Sequence, residues 1–414
     1  MKVLVLGAGL AGIPAAYYLA RDGHEVTVID RQPEAAMETS FANGSLLCQG
    51  HSYPWASPAA PGILAKSLFR NDQALRIAPR LDPRLWSWLF KFLCECPRAR
   101  ANQHAATRLR LASYSQAVMR EVVQDTRIEF FHTDKGLLYV YRTQHCMDEG
   151  LRQMRVLEQA GLPIEVVSSA RVAQLEPALK PIASRLVGGV FVPSDGTGDA
   201  RLFTVELARA CAARGVNFMY NTQVLGLDIE RNEVRAVSTS KGVIAADAII
   251  VAMGAYSSIL LRRYGVNIDV FPVKGYSMTV PIRRPEEAPT LGGLDEDNLL
   301  AFSVLGNRLR LTATAEFTGY DMRLSRDDFR YMTQAAKDLF PTLCDYAQAE
   351  LWCGLRPATP DGNPLFGPTQ IRNLFLNTGH GSQGWTMACG SGKITADLVA
   401  GRTPDIDMSG LLYQ

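Results

Sequence analysis

The sequence predicts a mixed α/β fold in which a nucleotide-binding domain is interrupted by a second, β-rich domain with flanking helices. Three observations predict it. The chain opens on an apolar strand, Lys2 to Leu6, that runs into Gly7, Gly9 and Gly12 spaced as G-x-G-x-x-G, followed by helical sequence, a second apolar strand from Glu25 to Ile29, and Asp30. Strand and helix patterns of the same style return between Gly198 and Gly254 and again after Leu374. Between these pieces lies a stretch rich in alternating strand patterns, from Asn267 to Phe340. A strand, a glycine turn, a helix, a strand and an acid in this order form a Rossmann-like dinucleotide unit. Gly7 permits the tight turn, Gly9 lets a pyrophosphate approach the backbone, and Gly12 allows the helix to pack closely on the strands. N–H groups at that helix start face phosphate. Asp30 is placed to accept the ribose hydroxyls of an adenosine and to repel a 2′-phosphate, which disfavours NADP.

Each later element follows from local pattern. Residues 63–161 read as helical, with amphipathic stretches at Thr107 to Gln124 and Gln144 to Gly161 around a strand at Gly136 to Tyr141. A helix from Leu202 to Arg214 stops at Gly215 and leads into a strand at Val216 to Tyr220. Val224 to Ile229 and Glu233 to Thr239 form a hairpin turning at Arg231 and Asn232, and Ala248 to Gly254 is a buried strand ending on a glycine. Leu299 to Val304 and Arg308 to Glu316 flank Gly306 and Asn307 as another hairpin, and Ser325 to Asp328 has capping-box spacing for a helix ending near Leu339. Leu374 to Leu376 is a strand, Asn377 to Gly384 a glycine-rich loop, and Trp385 to Ala400 a helix stopped by Gly401.

Bulk properties exclude several classes. A net charge of +2 over 414 residues gives nucleic acid binding no electrostatic support. The eight cysteines are scattered without metal-ligand spacing, so we expect reduced thiols, no metal and a cytoplasmic protein. The apolar N-terminus is read as the nucleotide strand, not as a targeting segment. No apolar run is long enough to span a membrane. There is no second dinucleotide motif, so a two-nucleotide reductase is not expected.

Four further motifs, together with the opening one, carry a resemblance: Glu38 to Asn43, Phe271 to Ser277, Gly354 to Gly362, and Asn377 to Gly392. Over essentially the whole chain the sequence resembles the bacterial D-amino acid dehydrogenases, within the wider D-amino acid oxidase and glycine oxidase superfamily. The resemblance implies FAD, a large mixed or antiparallel sheet above the flavin, and oxidation of a D-amino acid to its imino acid with electrons leaving through a respiratory acceptor such as quinone. It divides the chain into FAD-binding parts at 1–62, 191–265 and 350–414 and substrate-domain parts at 63–190, the helical insertion included, and 266–349.

Residue chemistry adds to this. Oxidation of an α-amino acid requires a cation that fixes its carboxylate, and Arg356 is the candidate because a guanidinium binds a carboxylate with two parallel hydrogen bonds. Tyr276 is expected either to hydrogen-bond that carboxylate, to close the site, or to pack in the sheet. His380 is expected to act as an acid–base group, to contact flavin, or to order its loop. Gly379, Gly381, Ser382, Gln383 and Gly384 allow the backbone to approach the ring, and the following helix offers N–H groups to negative charge. Thr39, Ser40 and Asn43 match the family's pyrophosphate and flavin segment, Val224 its adenine-framing position, and Arg31 and Gly254 complete the cofactor set. Ser45 and Leu46 stand where many relatives carry Gly-Gln, and Thr312 and Ala313 where relatives often carry glycines. The aromatic segment Arg84 to Leu93 reads either as a core helix or as an interfacial one that touches a membrane.

Overall fold

A computed structural model describes residues 1–67, 74–77 and 81–413. The part of the expected helical insertion that falls on residues 68–73 and 78–80 lies outside the described residues. Among those described, the first sheet has six strands in the order Leu365–Pro368, Leu374–Thr378, Ala248–Val251, Lys2–Leu6, Glu25–Ile29 and Asn217–Met219. The last five run parallel, and Leu365–Pro368 is antiparallel at the edge. Parallel strands are covered on both faces, which is why Lys2–Leu6 and Ala248–Val251 read as unbroken apolar runs rather than alternating ones.

One face carries the helices Gly12–Arg21, Ala200–Ala213 and Gly384–Val399. The third of these packs between Gly12–Arg21 and the long helix Arg98–Thr126. Two glycines make that approach feasible: a Cβ on Gly392 would lie 2.5 Å from the Pro14 carbonyl carbon, and one on Gly390 would lie 2.8 Å from Ser115 Cβ. The other face is covered by a three-stranded sheet, Val224–Glu230, Glu233–Thr239 and Gly242–Ala245. Its first turn uses Arg231 and Asn232, both with positive φ, as a two-residue hairpin demands.

The second sheet has nine strands. Its order is Glu350–Ala358, Phe271–Pro281, Arg308–Phe317, Leu300–Leu305, Gly292–Asp295, Leu137–Tyr141, Gly188–Val192 and Glu165–Ser168, with Leu75–Ile77 also pairing to Arg308–Phe317. Most pairs are antiparallel, but Gly292–Asp295 joins Leu137–Tyr141 in parallel, so the sheet is mixed.

Two expected boundaries move. Glu350–Ala358, grouped by sequence with 350–414, is the edge strand of the second sheet, because it hydrogen-bonds to Phe271–Pro281 along its whole length, from Glu350 opposite Thr279 to Ala358 opposite Phe271. Gly188–Val192 crosses the expected break at 190 and belongs wholly to the same sheet. The capping box at Ser325 is formed, but it opens a 3-10 turn, Arg326–Phe329, before the helix Arg330–Leu339.

The segment Arg84 to Leu93 lies in a helix, Pro83–Glu95, capped by Asp82. Leu85, Trp88, Leu89 and Phe92 are buried, and the Trp88 indole N–H donates to the Ala358 carbonyl at 3.0 Å. Trp86, Phe90 and Leu93 on its other side are exposed. Among the described residues no helix is long and apolar enough to cross a membrane.

Candidate active site

A cavity of about 910 Å³ runs from the opening glycine turn to the face of the nine-stranded sheet. At its nucleotide end Gly7 takes φ +113°, and a Cβ there would sit 2.5 Å from the Ala252 carbonyl oxygen. A Cβ on Gly12 would lie 1.9 Å from the Gly7 carbonyl oxygen, so Gly12 closes the turn from behind instead of lining the cavity. Gly9 lines it beside Ser40, whose hydroxyl accepts the Leu10 N–H at 3.1 Å. The Asp30 carboxylate accepts N–H bonds from Ala8 at 2.7 Å and Gln32 at 2.8 Å. Burial pushes its carboxyl above the usual range, opposed by those two donors. Its remaining lone pairs face the cavity. Arg31 pairs with Glu38 at 2.6 Å and lies over the Tyr256 ring at 4.1 Å, which leaves a flat, charged shelf beside Val224 and Gly254.

Farther in, Asn43 Oδ1 accepts the Ser45 N–H at 3.0 Å, and Thr39 donates to the Leu355 carbonyl at 2.7 Å, tying this segment to the strand that carries Arg356. Ser45 lines the cavity, and its Oγ is buried without a hydrogen-bond partner among the described residues. The loop before the helix Gly384–Val399 closes the floor. Gly381, Ser382 and Gly384 line the cavity, and the Gly381 N–H donates to the Pro357 carbonyl at 2.9 Å. Gly379 and Gln383 do not line it. Gly379, at φ +82°, packs on Thr359, and Gln383 donates to the Cys48 carbonyl while accepting from the buried Arg108, each at 2.9 Å. The long apolar cavity, the glycine cradle and the orphaned Ser45 hydroxyl fit an extended dinucleotide carrying a flat ring at its inner end, as FAD does.

Arg356 is the centre of the inner end. Its guanidinium lies across Gly275 of the neighbouring strand, where an added Cβ would meet Cζ at 2.7 Å, and Nη1 donates to the Thr314 carbonyl at 3.1 Å. Thr314 is the bulged residue between Gly275 and Tyr276 in the register and takes φ +66°, which turns that carbonyl toward the guanidinium. Among the described residues no carboxylate pairs with Arg356. Burial lowers it to about 10, so it is a cation at neutral pH that lines the cavity without an ion-pair partner among the described residues.

Tyr276 and His380 both border the cavity, with their polar atoms bonded within the protein. Arg356 pairs with Val273 and Tyr276 with Cys353, so the tyrosine, an odd number of residues away, projects from the opposite face of the pleat. There it packs edge-to-face on Phe329 at 5.4 Å and its hydroxyl donates to Glu316. Burial, then Glu316, pushes that hydroxyl well above its usual range. Tyr276 borders the cavity while its hydroxyl is committed to Glu316, the placement expected of a tyrosine packed in the sheet. His380 is buried, and its Nε2 lies 2.9 Å from Ser391 Oγ, whose own hydrogen goes to the Met387 carbonyl at 2.7 Å. Nε2–H is therefore the donor. Burial pushes His380 down to about 4, which keeps the imidazole neutral and suits it to ordering the loop.

Sequence reasoning did not single out His51, Trp55 or Glu296, all of which line the cavity. Trp55 lies 5.8 Å from the Arg356 guanidinium. Burial lowers His51 to about 4, and its ring stacks on Tyr139 at 6.5 Å. None sits in a recognisable local motif, so no signal short of the folded sheet marks them.

Comparison with known proteins agrees with this geometry. A family model described as FAD dependent oxidoreductase matches residues 2–398. The chain is 48% identical over 414 residues to a Mesorhizobium japonicum protein named D-amino acid dehydrogenase 2, covering 100% of both. It is 42% identical to a D-amino acid dehydrogenase of Granulibacter bethesdensis, over 99% of this chain and 98% of the relative. Among solved structures, glycine oxidase from Geobacillus kaustophilus superposes with TM-score 0.78 at 24% identity, covering 100% and 98% of the two chains, a likeness of fold.

Proposed function

The chain belongs to the FAD-dependent oxidoreductase family, and from that premise we propose that it oxidises a D-amino acid at its α-carbon, giving a 2-oxo acid and ammonia once the imino acid hydrolyses. The observation that carries this reading is Arg356, a partly buried cation with no anion partner among the described residues, aimed into the cavity that the nucleotide motif opens. When bound, FAD supplies the two-electron acceptor for cleavage of the α C–H bond.

Arg356 holds the substrate carboxylate and so sets the face that the α-carbon presents. Gly275 and the Thr314 carbonyl orient the guanidinium. Trp55 walls one side, Gly381 and Ser382 bring backbone to the inner end, and the helix beginning at Gly384 turns its N-terminus toward charge that develops there. No side chain is needed as a general base if the amine enters neutral. His380 then serves by holding the loop to Ser391, while the Gly381 N–H ties it to Pro357. Electrons leave to a respiratory acceptor such as quinone. The exposed face of Trp86, Phe90 and Leu93 supports peripheral contact with a membrane that would hold one.

The test is anaerobic bleaching of the flavin by D-amino acids. Arg356→Ala is expected to retain flavin while kcat/KM falls by ~100-fold or more, the cost of leaving a desolvated carboxylate unpaired. Unchanged bleaching in that variant, or bleaching by L-isomers alone, overturns the reading. Peroxide production that outpaces quinone reduction would move the acceptor to oxygen.

A further inference from the structure

We propose that Glu296 is the side-chain selector of this site and that the preferred substrate carries a cationic side chain, as in D-lysine or D-arginine. The inference rests on the reading of Arg356 as the carboxylate anchor. Both residues open onto one cavity and lie on one face of one sheet.

The register places them. Glu296 follows the last residue of Gly292–Asp295, where Asp295 pairs with Leu300, and Ala301 of the next strand pairs with Thr312. Glu296 therefore opens the turn, residues 296–299, that closes this hairpin, and Thr312 lies two residues before Thr314, whose carbonyl receives the Arg356 guanidinium. The guanidinium lies over Gly275, and two strands, Arg308–Phe317 and Leu300–Leu305, separate that strand from the one Glu296 follows, so the two groups are three strand steps apart, roughly 14 Å. That span is on the scale of an extended lysine or arginine, from carboxylate to side-chain cation, with one ionic contact at each end.

The neighbours of Glu296 explain why it is the carboxyl left unpaired, ready to ionise against a cation. Asp295 is held by Arg142 at 2.7 Å, and Asp297 accepts from the Arg142 N–H and Thr143 Oγ1, both at 2.7 Å. Glu149 pairs with Arg152. The Glu296 carboxylate has no hydrogen bond or ion pair among the described residues, and Tyr139, Tyr141, Met154 and Leu294 form the apolar walls around it. Burial, then repulsion from Asp295 and Asp297, pushes it up to about 8. A carboxyl under that strain gains from an incoming ammonium or guanidinium, while the alkyl stem of the same side chain covers the apolar wall. A neutral side chain of equal length leaves Glu296 unrelieved.

The holoenzyme tests this by comparing anaerobic flavin reduction with D-lysine and with D-norleucine, which has the same chain without the ammonium. The kcat/KM ratio is expected to favour D-lysine by ~10-fold or more, and Glu296→Gln is expected to lower that ratio by ~10-fold or more through KM. A wild-type ratio near one, or a ratio unchanged in the variant, overturns the proposal. A second readout does not depend on turnover: 6-aminohexanoate and hexanoate titrated against the flavin absorbance should differ by ~10-fold in apparent Kd, and the difference should vanish in Glu296→Gln. Equal affinities in the wild type also overturn it. Should no D-amino acid reduce the flavin, the reading of the reaction fails, and the titration still decides the assignment of Glu296.

Discussion

Arg356 and Gly275 form a two-residue device in which the absent side chain matters as much as the charged one. The guanidinium lies flat because position 275 has no Cβ, and an alanine there would press on Cζ from 2.7 Å. Gly275→Ala is expected to raise KM for the amino acid by ~10-fold while retaining flavin, since only the angle of the anchor changes; steady-state kinetics beside the flavin spectrum checks it. His380 has a consequence for acid stability. Its folded pKa is lowered to about 4 from the ordinary 6.5, so the unfolded chain binds more protons in that window. Stability from keeping it neutral is full above about 6.5 and is lost as pH falls toward about 4, by at most about 3 kcal/mol. Melting temperature followed from pH 7 to 4 should drop, with a shallower slope in His380→Gln; a residual slope is expected because His51 is lowered over the same range.

At the scale of elements, the helix Gly384–Val399 works as a wedge. It presents its N-terminus to the cavity and packs between two other helices through Gly390 and Gly392. Gly392→Ala must displace the backbone of Pro14, at a cost of about 1–3 kcal/mol, observable as a lower midpoint in urea unfolding. The helix Pro83–Glu95 divides its aromatics between core and surface. Trp88 and Phe92 anchor it beside the end of the Arg356 strand, while Trp86 and Phe90 face outward. Replacing Trp86 and Phe90 together by Ser is expected to reduce co-sedimentation with anionic lipid vesicles and leave anaerobic flavin reduction unchanged. Equal sedimentation of the two proteins would remove the support for membrane contact.

The cavity joins both sheets, so the cofactor it accommodates is also a structural member of the whole molecule. Removing FAD leaves about 910 Å³ open between two halves held otherwise by contacts such as Thr39 to Leu355. Deflavinated protein is expected to melt at a lower temperature, and the midpoint should rise with added FAD as mass action requires.

The nucleotide end was legible in the sequence because its chemistry is local: a strand, Gly7, Gly9, Gly12 and Asp30 lie within thirty residues, and each glycine answers a steric demand of its own turn. Hairpins at Arg231–Asn232 and Gly306–Asn307 were legible for the same reason. Arg356 was singled out through its motif, but its lack of an ion-pair partner among the described residues was not, since that depends on every strand packed around it. Tyr276 borders the cavity from the neighbouring strand, but that its ring packs on Phe329 and its hydroxyl is committed to Glu316 was not legible, because pairing between distant strands decides it. Glu296 had no signal at all, being a turn residue between two other acids. The sequence by itself therefore determined the dinucleotide turn, the order of most strands and helices, and the arginine proposed as carboxylate anchor, all set by short-range sterics, residue chemistry and motif. Only the tertiary structure decided which side chains share a face with that anchor, because pairing register in a sheet is a long-range property that no window of the chain contains.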